Sequence, residues 1–339
     1  MRIFPLLLLL FLFLSNFAFA KDLCNLRTLT IYCNDSFAND WMQIGHPIKR
    51  AFEFQCNCKV ELVSLNDISS ILSRIILEGK NSPADLVIGI DSNLIEKARE
   101  SGVFEPLNIS IENLNLPIKW SDNYFIPYDY AYLAFVYNSK KLKNPPQSFQ
   151  ELIDYPDKDF KIIIQDPRTS PDGLGLLLWI KSIYHDKSDE VWKKLRKKIL
   201  TVTKRWSESY SLFTYGEADM VLSYNTSPAY HLMVEDNDDI RAAEFKEGHY
   251  LQIELIGKLK NSKEPELADQ FIKFALSHAF QRLIPINNFM LPVIDLGKDM
   301  PKEYNKIFTP KEAYMLPIEE LTKYRDPWIK EWLNALTKD

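Results

Sequence analysis

The sequence has little glycine, and it lacks the glycine-rich motifs that bind phosphates or present nucleophiles. The ten glycines among 339 residues form no G-x-G-x-x-G fingerprint, no P-loop and no G-x-S-x-G elbow. The five histidines are scattered, with no H-E-x-x-H and no H-x-x-x-H pattern. Together these absences favour a binding protein over an enzyme.

Metal-binding motifs are equally scarce. A zinc site would need a second close pair of cysteines to join Cys56 and Cys58, and Cys24 and Cys33 stand too far apart to supply it. The acidic run at 235–239 lacks the glycine and the spacing of a calcium loop. The net charge of -5 argues against nucleic acid as a partner. We therefore expect neither a metal nor a nucleic acid.

The one long apolar run lies at the N-terminus. Arg2 precedes an apolar stretch at 5–14, and the segment 18–20 (Ala-Phe-Ala) has the small-x-small pattern that signal peptidase prefers. Ser15 and Asn16 shorten the run below the ~20 residues of a spanning helix, which disfavours a membrane anchor. The pattern predicts a signal peptide at residues 1–20, cleaved after Ala20, and export of a soluble protein.

The four cysteines all lie near the N-terminus, at positions 24, 33, 56 and 58. Outside the cytoplasm cysteines form disulfides, and four of them allow three pairings. The residues alone leave the pairing open, since Cys33 on a strand is equally consistent with a buried thiol.

Strands and helices alternate in two successive units. The first has predicted strands at 28–33, 59–64 and 85–90, one helix that begins at Pro47 and another capped by Asp67. The second has predicted strands at 132–137, 160–165 and 220–224, a capping box at Ser148 and Glu151, and a helix that begins at Pro171. Such alternation predicts parallel sheets covered by helices. Extended segments near 126–137 and 249–256 join the units, which predicts two lobes with a crossing hinge.

Polar and aromatic residues collect where the predicted strands end. In open α/β sheets, ligands bind beyond the carboxyl ends of the strands. Helix capping or ordinary packing explains any one of these residues, but their coincidence in both units predicts a binding site. The strand-end segments are 34–36, 66–67, 91–92, 166–170, 206–207 and 224–227, and flat aromatic faces come from Trp41, Trp206, Tyr224 and Tyr230.

Several longer strings indicate a family resemblance. They include K-N-P-P-Q-S at 143–148, Q-D-P-R-T-S at 165–170, G-L-G-L-L-L-W at 173–179 and V-L-S-Y-N-T-S-P-A-Y-H at 221–231. Nearly the whole chain after residue 20 resembles the periplasmic thiamine-binding proteins of bacterial ABC transporters. The resemblance implies the type II periplasmic binding fold, an α/β fold of two lobes with a ligand cleft between them. Each lobe is then a mainly parallel sheet flanked by helices.

The resemblance also implies an organisation and a function. Lobe 1 would comprise residues 21–130 and 250–339, and lobe 2 residues 131–249. The protein would be a periplasmic monomer without catalytic residues or a cofactor. It would capture thiamine, thiamine monophosphate or thiamine diphosphate and deliver it to an inner-membrane ABC permease. A disulfide between Cys56 and Cys58 follows from the same resemblance.

Ligand contacts carried over from the family fall on the strand ends. A cation over an aromatic face gains about 0.5–2 kcal/mol, so aromatic contacts suit the thiazolium ring of thiamine, and a carboxylate would offset its charge. Hydroxyl and backbone N–H groups would hold a phosphate. The implied contacts are Asp67, Ser170, Trp206, Tyr224, Asn225, Thr226 and Ser227, with Trp41 and Tyr230 bordering the pocket. The chain departs from its relatives at Asn34, Ile68, Pro171 and Phe289, where they have Tyr, Gly, Thr and Trp.

Two alternative functions stay open on the sequence. A secreted thiaminase has a similar fold and uses a cysteine nucleophile, for which Cys33 is the candidate. A ferric-ion site could instead use Tyr224 and Tyr230. The long matching strings favour the carrier over both.

Overall fold

Strands and helices alternate through the residues that the computed structural model describes, which are 26–38, 44–65, 68–109, 111 and 114–337. The predicted signal peptide, Cys24, Trp41 and Asp67 lie outside the described residues. The strands are Thr28–Asn34 (β1), Lys59–Leu65 (β2), Leu86–Asp91 (β3), Phe125–Asn138 (β4), Ile162–Gln165 (β5), Ile199–Thr203 (β6), Met220–Tyr224 (β7), Ile240–Ala242 (β8), His249–Lys258 (β9), Leu291–Pro292 (β10) and Ala313–Tyr314 (β11). The helices are Asp35–Ala38 (α1), Gly45–Cys56 (α2), Ile68–Glu78 (α3), Ile95–Glu100 (α4), Phe149–Ile153 (α5), Pro171–Tyr184 (α6), Ser188–Leu195 (α7), Trp206–Thr214 (α8), Ser227–Val234 (α9), Pro265–Ala275 (α10), His278–Gln281 (α11) and Ile318–Thr337 (α12).

The strands form a mixed sheet in the spatial order β2-β1-β3-β9-β4-β7-β5-β6. At one end β1 is parallel to both β2 and β3, and at the other β5 is parallel to both β6 and β7. Between them β9 and β4 run antiparallel to each other and to their outer neighbours. The two mainly parallel ends are the two lobes of an α/β fold, as the sequence predicted.

Two long strands connect the lobes. Residues 125–132 of β4 pair with β9, and residues 133–137 of the same strand pair with β7. On its other side β9 pairs with β3 of the first lobe. The predicted crossing segments are thus confirmed, although β4 begins earlier than the predicted strand at 132–137. The lobe boundaries at residues 130/131 and 249/250 stay a prediction.

Local capping fixes where the helices of the second lobe begin. Ser170 is the N-cap of α6, where its hydroxyl accepts a hydrogen bond from the N–H of Gly173, and Pro171 follows in the first turn. Ser148 accepts one from the N–H of Glu151 at the start of α5. Both predicted helix starts are confirmed, because the residue types that satisfy free N–H groups stand where the sequence has them.

Three of the four cysteines lie within the described residues. Cys56 and Cys58 form the disulfide that the resemblance implied. Cys33 is fully buried in β1.

In the part of the chain that the structure covers, no helix has both the length and the apolar character needed to cross a membrane.

Candidate functional site

Three carboxyl groups stand side by side at the centre of the sheet. Asp91 ends β3, Glu254 lies in β9 and Asp129 lies in β4. The strand register pairs Asp91 with Glu254, and Glu254 with Asp129. Since directly opposite residues of antiparallel strands project to the same face, the three form one line. These three residues are named the acid row.

The hydrogen bonds of the acid row come from neutral groups. Glu254 accepts a hydrogen bond of 2.6 Å from the hydroxyl of Tyr128, and Asp129 accepts one of 2.5 Å from the side-chain amide of Asn288. Asp91 accepts one of 2.7 Å from the backbone N–H two residues further on. Its Oδ2 atom and Oδ1 of Asp129 are buried without a hydrogen-bond partner. Among the described residues no lysine or arginine neutralises the row.

Burial and mutual repulsion make the acid row costly to ionise. Burial, with repulsion from Glu254 and Asp172, raises the pKa of Asp91 to about 8. Burial raises the pKa of Asp129 well above its usual value, and the adjacent Glu254 adds to this rise. The pKa of Glu254 is raised by burial as well. Because uncompensated carboxylates are unfavourable in a low-dielectric interior, a cationic ligand would remove this cost.

A fourth buried carboxyl lies between two of the predicted contacts on the second lobe. Asp172, in the first turn of α6, accepts hydrogen bonds from the hydroxyl of Tyr224 at Oδ1 and from that of Ser170 at Oδ2, the latter at 2.9 Å. Burial raises the pKa of Asp172. Burial, followed by the charges of Asp172, Glu254 and Asp91, raises the pKa of Tyr224 well above its usual value. Tyr224 therefore lies within electrostatic range of both Asp172 and the acid row.

The ring of Trp206, the first residue of α8, is held by a hydrogen bond from its indole N–H and by stacking on one of its faces. Its ring stacks on Tyr210 with centroids 4.7 Å apart and planes at 22°. Its indole N–H donates a hydrogen bond of 2.8 Å to the hydroxyl of Ser223. That hydroxyl in turn bonds the hydroxyl of Ser227 at 2.7 Å, and Ser227 also accepts from the backbone N–H of Tyr224 at 3.2 Å. Predicted contacts from α8, β7 and α9 are thus joined by hydrogen bonds.

Asn225 and Thr226 follow β7 directly and differ in what their side chains bond. The backbone N–H of Asn225 donates to the carbonyl of Tyr132, and its side-chain oxygen accepts from the N–H of the same residue at 3.1 Å. Its amide nitrogen donates to the carbonyl of Phe308 at 2.9 Å. The hydroxyl of Thr226 is buried and has no hydrogen-bond partner. Asn225 therefore ties three segments together, while the hydroxyl of Thr226 is left without a partner.

Tyr230 is partly buried in α9. Its ring packs edge-on against those of Phe289 and His231, with centroids 5.1 Å apart in both cases. Phe289, where the resemblance implied Trp in the relatives, thus places an aromatic ring beside Tyr230. The structure brings together five of the predicted contacts, which are named the rim: Ser170, Trp206, Tyr224, Thr226 and Ser227. Their contact with a ligand stays a prediction, as does that of Trp41 and Asp67.

The sequence pointed to Asp91 as a strand end, but it did not single out Asp129, Glu254 or Asp172. A signal was present for Asp129 and Glu254, because each is the only carboxylate in a strand whose other residues are mostly apolar. Such a residue costs free energy unless it is paired or functional. Asp172 carries no comparable signal, since an acidic residue in the first turn of a helix is ordinary.

The candidate nucleophile of the thiaminase-like alternative lies in the interior of the protein. Cys33 is fully buried, and its Sγ atom lies 3.7 Å from the carbonyl oxygen of Val63. A nucleophile must reach its substrate, which this position prevents. Within the described residues no group of three or more His, Cys, Asp or Glu is arranged to hold a metal ion.

Comparison with known proteins decides the family. Residues 81–316 match the model of the bacterial extracellular solute-binding proteins. This chain belongs to that family. The thiamine-binding periplasmic protein of Escherichia coli (strain K12) is 47% identical over 310 residues, which cover 91% of this chain and 94% of that one. The solved structure of a periplasmic thiamin binding protein matches this solute-binding protein with a TM-score of 0.87 at 47% identity, covering 92% and 96% of the two chains.

The resemblance to the periplasmic thiamine-binding proteins is therefore confirmed. The family consists of solute-binding transport components and not of enzymes. The thiaminase-like alternative is therefore rejected. Iron-bound HitA from Pseudomonas aeruginosa shares the fold, with a TM-score of 0.74, 20% identity and coverage of 91% of this solute-binding protein and 99% of that chain. At that identity the likeness shows the fold alone, and it gives no argument for a ferric site.

Proposed function

We propose that this solute-binding protein captures thiamine in the cleft between its lobes and delivers it to the permease of an ABC importer. The observation that carries the proposal is the acid row, whose carboxyls are buried without a basic partner. Thiamine has a permanent positive charge on its thiazolium ring. A cation placed near Asp91 and Glu254 would stabilise their ionised forms.

The rim complements the acid row in this proposal. Trp206 and Tyr224 supply flat aromatic faces for the thiazolium or aminopyrimidine ring. The unpartnered hydroxyl of Thr226 is suited to a polar group of the ligand. Asp67 and Trp41 belong to the same proposal through the family resemblance. Micromolar affinity corresponds to about -8 kcal/mol, which no single contact supplies, so closure of both lobes on the ligand is part of it.

The finer features of the carrier are proposed on the same ground. The protein works as a monomer in the periplasm, after cleavage of residues 1–20 at Ala20. The relatives are periplasmic, which supports this location. The disulfide between Cys56 and Cys58 suits an oxidising compartment. Thiamine monophosphate and thiamine diphosphate remain predicted ligands of the same cleft.

Isothermal titration of the exported protein with thiamine tests the proposal. We expect a dissociation constant of 1 μM or below, and recovery of unchanged thiamine by mass spectrometry. The isolated aminopyrimidine fragment, which lacks the charged ring, should bind at least tenfold more weakly. Binding of ferric citrate but not of thiamine, or equal binding of the uncharged fragment, would contradict the proposal. The intact mass of the exported protein should correspond to a chain that begins at Lys21.

A further inference from the structure

The N-terminus of α6 has few donors left for an anion. Such termini commonly bind phosphate through their free N–H groups. Here Pro171 has no N–H, and the acidic side chain of Asp172 stands in the same turn. The N–H of Gly173 donates to the hydroxyl of Ser170. Of the first three residues of α6, one therefore has no N–H and another uses its N–H to bond the N-cap residue.

The hydroxyl groups next to this helix terminus already donate hydrogen bonds to Asp172. Ser170 donates to Asp172 at 2.9 Å, and Tyr224 donates to the other oxygen of the same carboxyl. A hydroxyl has a single proton to donate, so neither is available as a donor to a phosphate. The nearby cation Arg168 is already paired with Asp166 at 2.6 Å. Along this edge the carboxylate of Asp172 takes the donors that an anionic ligand would need.

The charges around this edge act in the same sense. Ionised Asp172 disfavours further negative charge here, because it raises the pKa of both Asp91 and Glu254. A phosphate carries about one and a half to two negative charges at neutral pH. A phosphorylated ligand would lose hydrogen-bond donors here and meet like charge as well.

We infer that Asp172 makes this protein select unphosphorylated thiamine over its mono- and diphosphate. The inference rests on the proposed function and concerns specificity within it. Asp172 acts by orienting the hydroxyls of Ser170 and Tyr224 and by repelling an anionic group. The unpartnered hydroxyl of Thr226 remains for the neutral hydroxyl of the vitamin.

Calorimetric titration with thiamine, thiamine monophosphate and thiamine diphosphate tests the inference. We expect the wild-type protein to bind thiamine at least about tenfold more tightly than either phosphate, which corresponds to about 1.4 kcal/mol. Asp172→Asn keeps the shape of the side chain but removes its charge, and it should narrow this ratio about tenfold by strengthening phosphate binding. Asp189→Asn makes the same charge change at a partly exposed position on α7, where the carboxylate pairs with Lys193, and should leave the ratio unchanged.

Each result decides a different point. Equal or tighter binding of the phosphates by the wild-type protein would overturn the inference while leaving thiamine binding intact. An unchanged ratio in Asp172→Asn, or the same shift in Asp189→Asn, would show that Asp172 is not the selecting residue. Failure of the wild-type protein to bind any of the three ligands would instead refute the proposed function.

Discussion

The acid row and the rim differ in how their polar groups are satisfied. In the rim, the indole N–H of Trp206 and the hydroxyls of Tyr224 and Ser227 are bonded within the protein, and only Thr226 keeps an unpartnered hydroxyl. In the acid row, Asp91 and Asp129 each keep a buried oxygen without a partner. Satisfied groups hold a shape, whereas unsatisfied buried groups cost free energy until a ligand arrives. The comparison assigns charge recognition to the acid row and shape recognition to the rim.

Neutralising the acid row should have the largest effect on ligand binding. A unit charge about 6 Å from a cation contributes about 3 kcal/mol at an effective dielectric constant of about 20. Asp91→Asn combined with Glu254→Gln should therefore weaken thiamine binding at least about 100-fold at pH 9, measured by calorimetry. The uncharged aminopyrimidine fragment should lose much less affinity, and equal losses would contradict the assignment of charge recognition to the row.

A matched control for the acid row is Asp85, which is a buried aspartate whose two carboxylate oxygens both accept hydrogen bonds. It accepts hydrogen bonds from the N–H of Thr30 at 2.8 Å and the hydroxyl of Ser262 at 2.7 Å. Asp85→Asn should lower the free energy of unfolding by about 1–3 kcal/mol and leave the thiamine affinity unchanged. Asp91→Asn alone should do the reverse, stabilising the unliganded protein while weakening binding. If both variants behaved alike, the two aspartates would not differ in role.

Removing the principal aromatic face should have the next largest effect. Trp206→Ala should weaken thiamine binding about 30-fold, since a cation over a desolvated aromatic face is worth about 2 kcal/mol. Circular dichroism should show an intact fold. Tyr215→Ala, which removes an aromatic ring that is 83% exposed just after α8, should leave the affinity within twofold. Comparable losses in the two variants would argue against stacking at Trp206.

The acid row should also make binding depend on pH. The pKa of Asp91 is raised to about 8 in the unliganded protein, and a bound cation favours the ionised form. Thiamine binding should therefore strengthen about tenfold between pH 6.5 and pH 8.5, with proton release on binding. Asp91→Asn should flatten this dependence, and calorimetry in two buffers of different ionisation enthalpy would detect the released protons.

The same raised pKa has a consequence for stability. A carboxyl group whose pKa is higher in the folded than in the unfolded state binds more protons when folded. Its contribution is present below the unfolded value and is lost as the pH rises through about 8. The unliganded protein should lose stability over that range in denaturant titrations, and saturating thiamine should reduce the loss. A rise in stability of the unliganded protein towards pH 8 would contradict an unpaired Asp91.

The smallest effect should come from the disulfide, which lies in neither region. Cys56 and Cys58 are separated by two positions, so their bond closes a very short loop and constrains the unfolded chain little. Cys56→Ser with Cys58→Ser should change the free energy of unfolding by less than about 2 kcal/mol and leave the thiamine affinity unchanged. A lost affinity would show that the bond shapes the cleft.

Most of the rim could be predicted from the sequence, because it sits at strand ends and helix starts that local signals mark. Ser170 followed by Pro171 is typical of a helix start, and Trp206 and Tyr224 stand where the predicted strands end. The structure nevertheless changes the interpretation of Asn225, because its side chain forms hydrogen bonds with backbone groups of the protein. Its partners lie in segments far away along the chain, which no local pattern reveals.

The acid row is different, because its existence depends on which strands become neighbours. The sequence by itself determined the alternating elements, their caps and the strand ends, since these follow from hydrophobic periodicity and from residues that satisfy free N–H groups. Only the tertiary structure placed β3, β9 and β4 side by side and so aligned Asp91, Glu254 and Asp129. Their raised pKa values arise from burial and mutual repulsion, which exist once the sheet has formed.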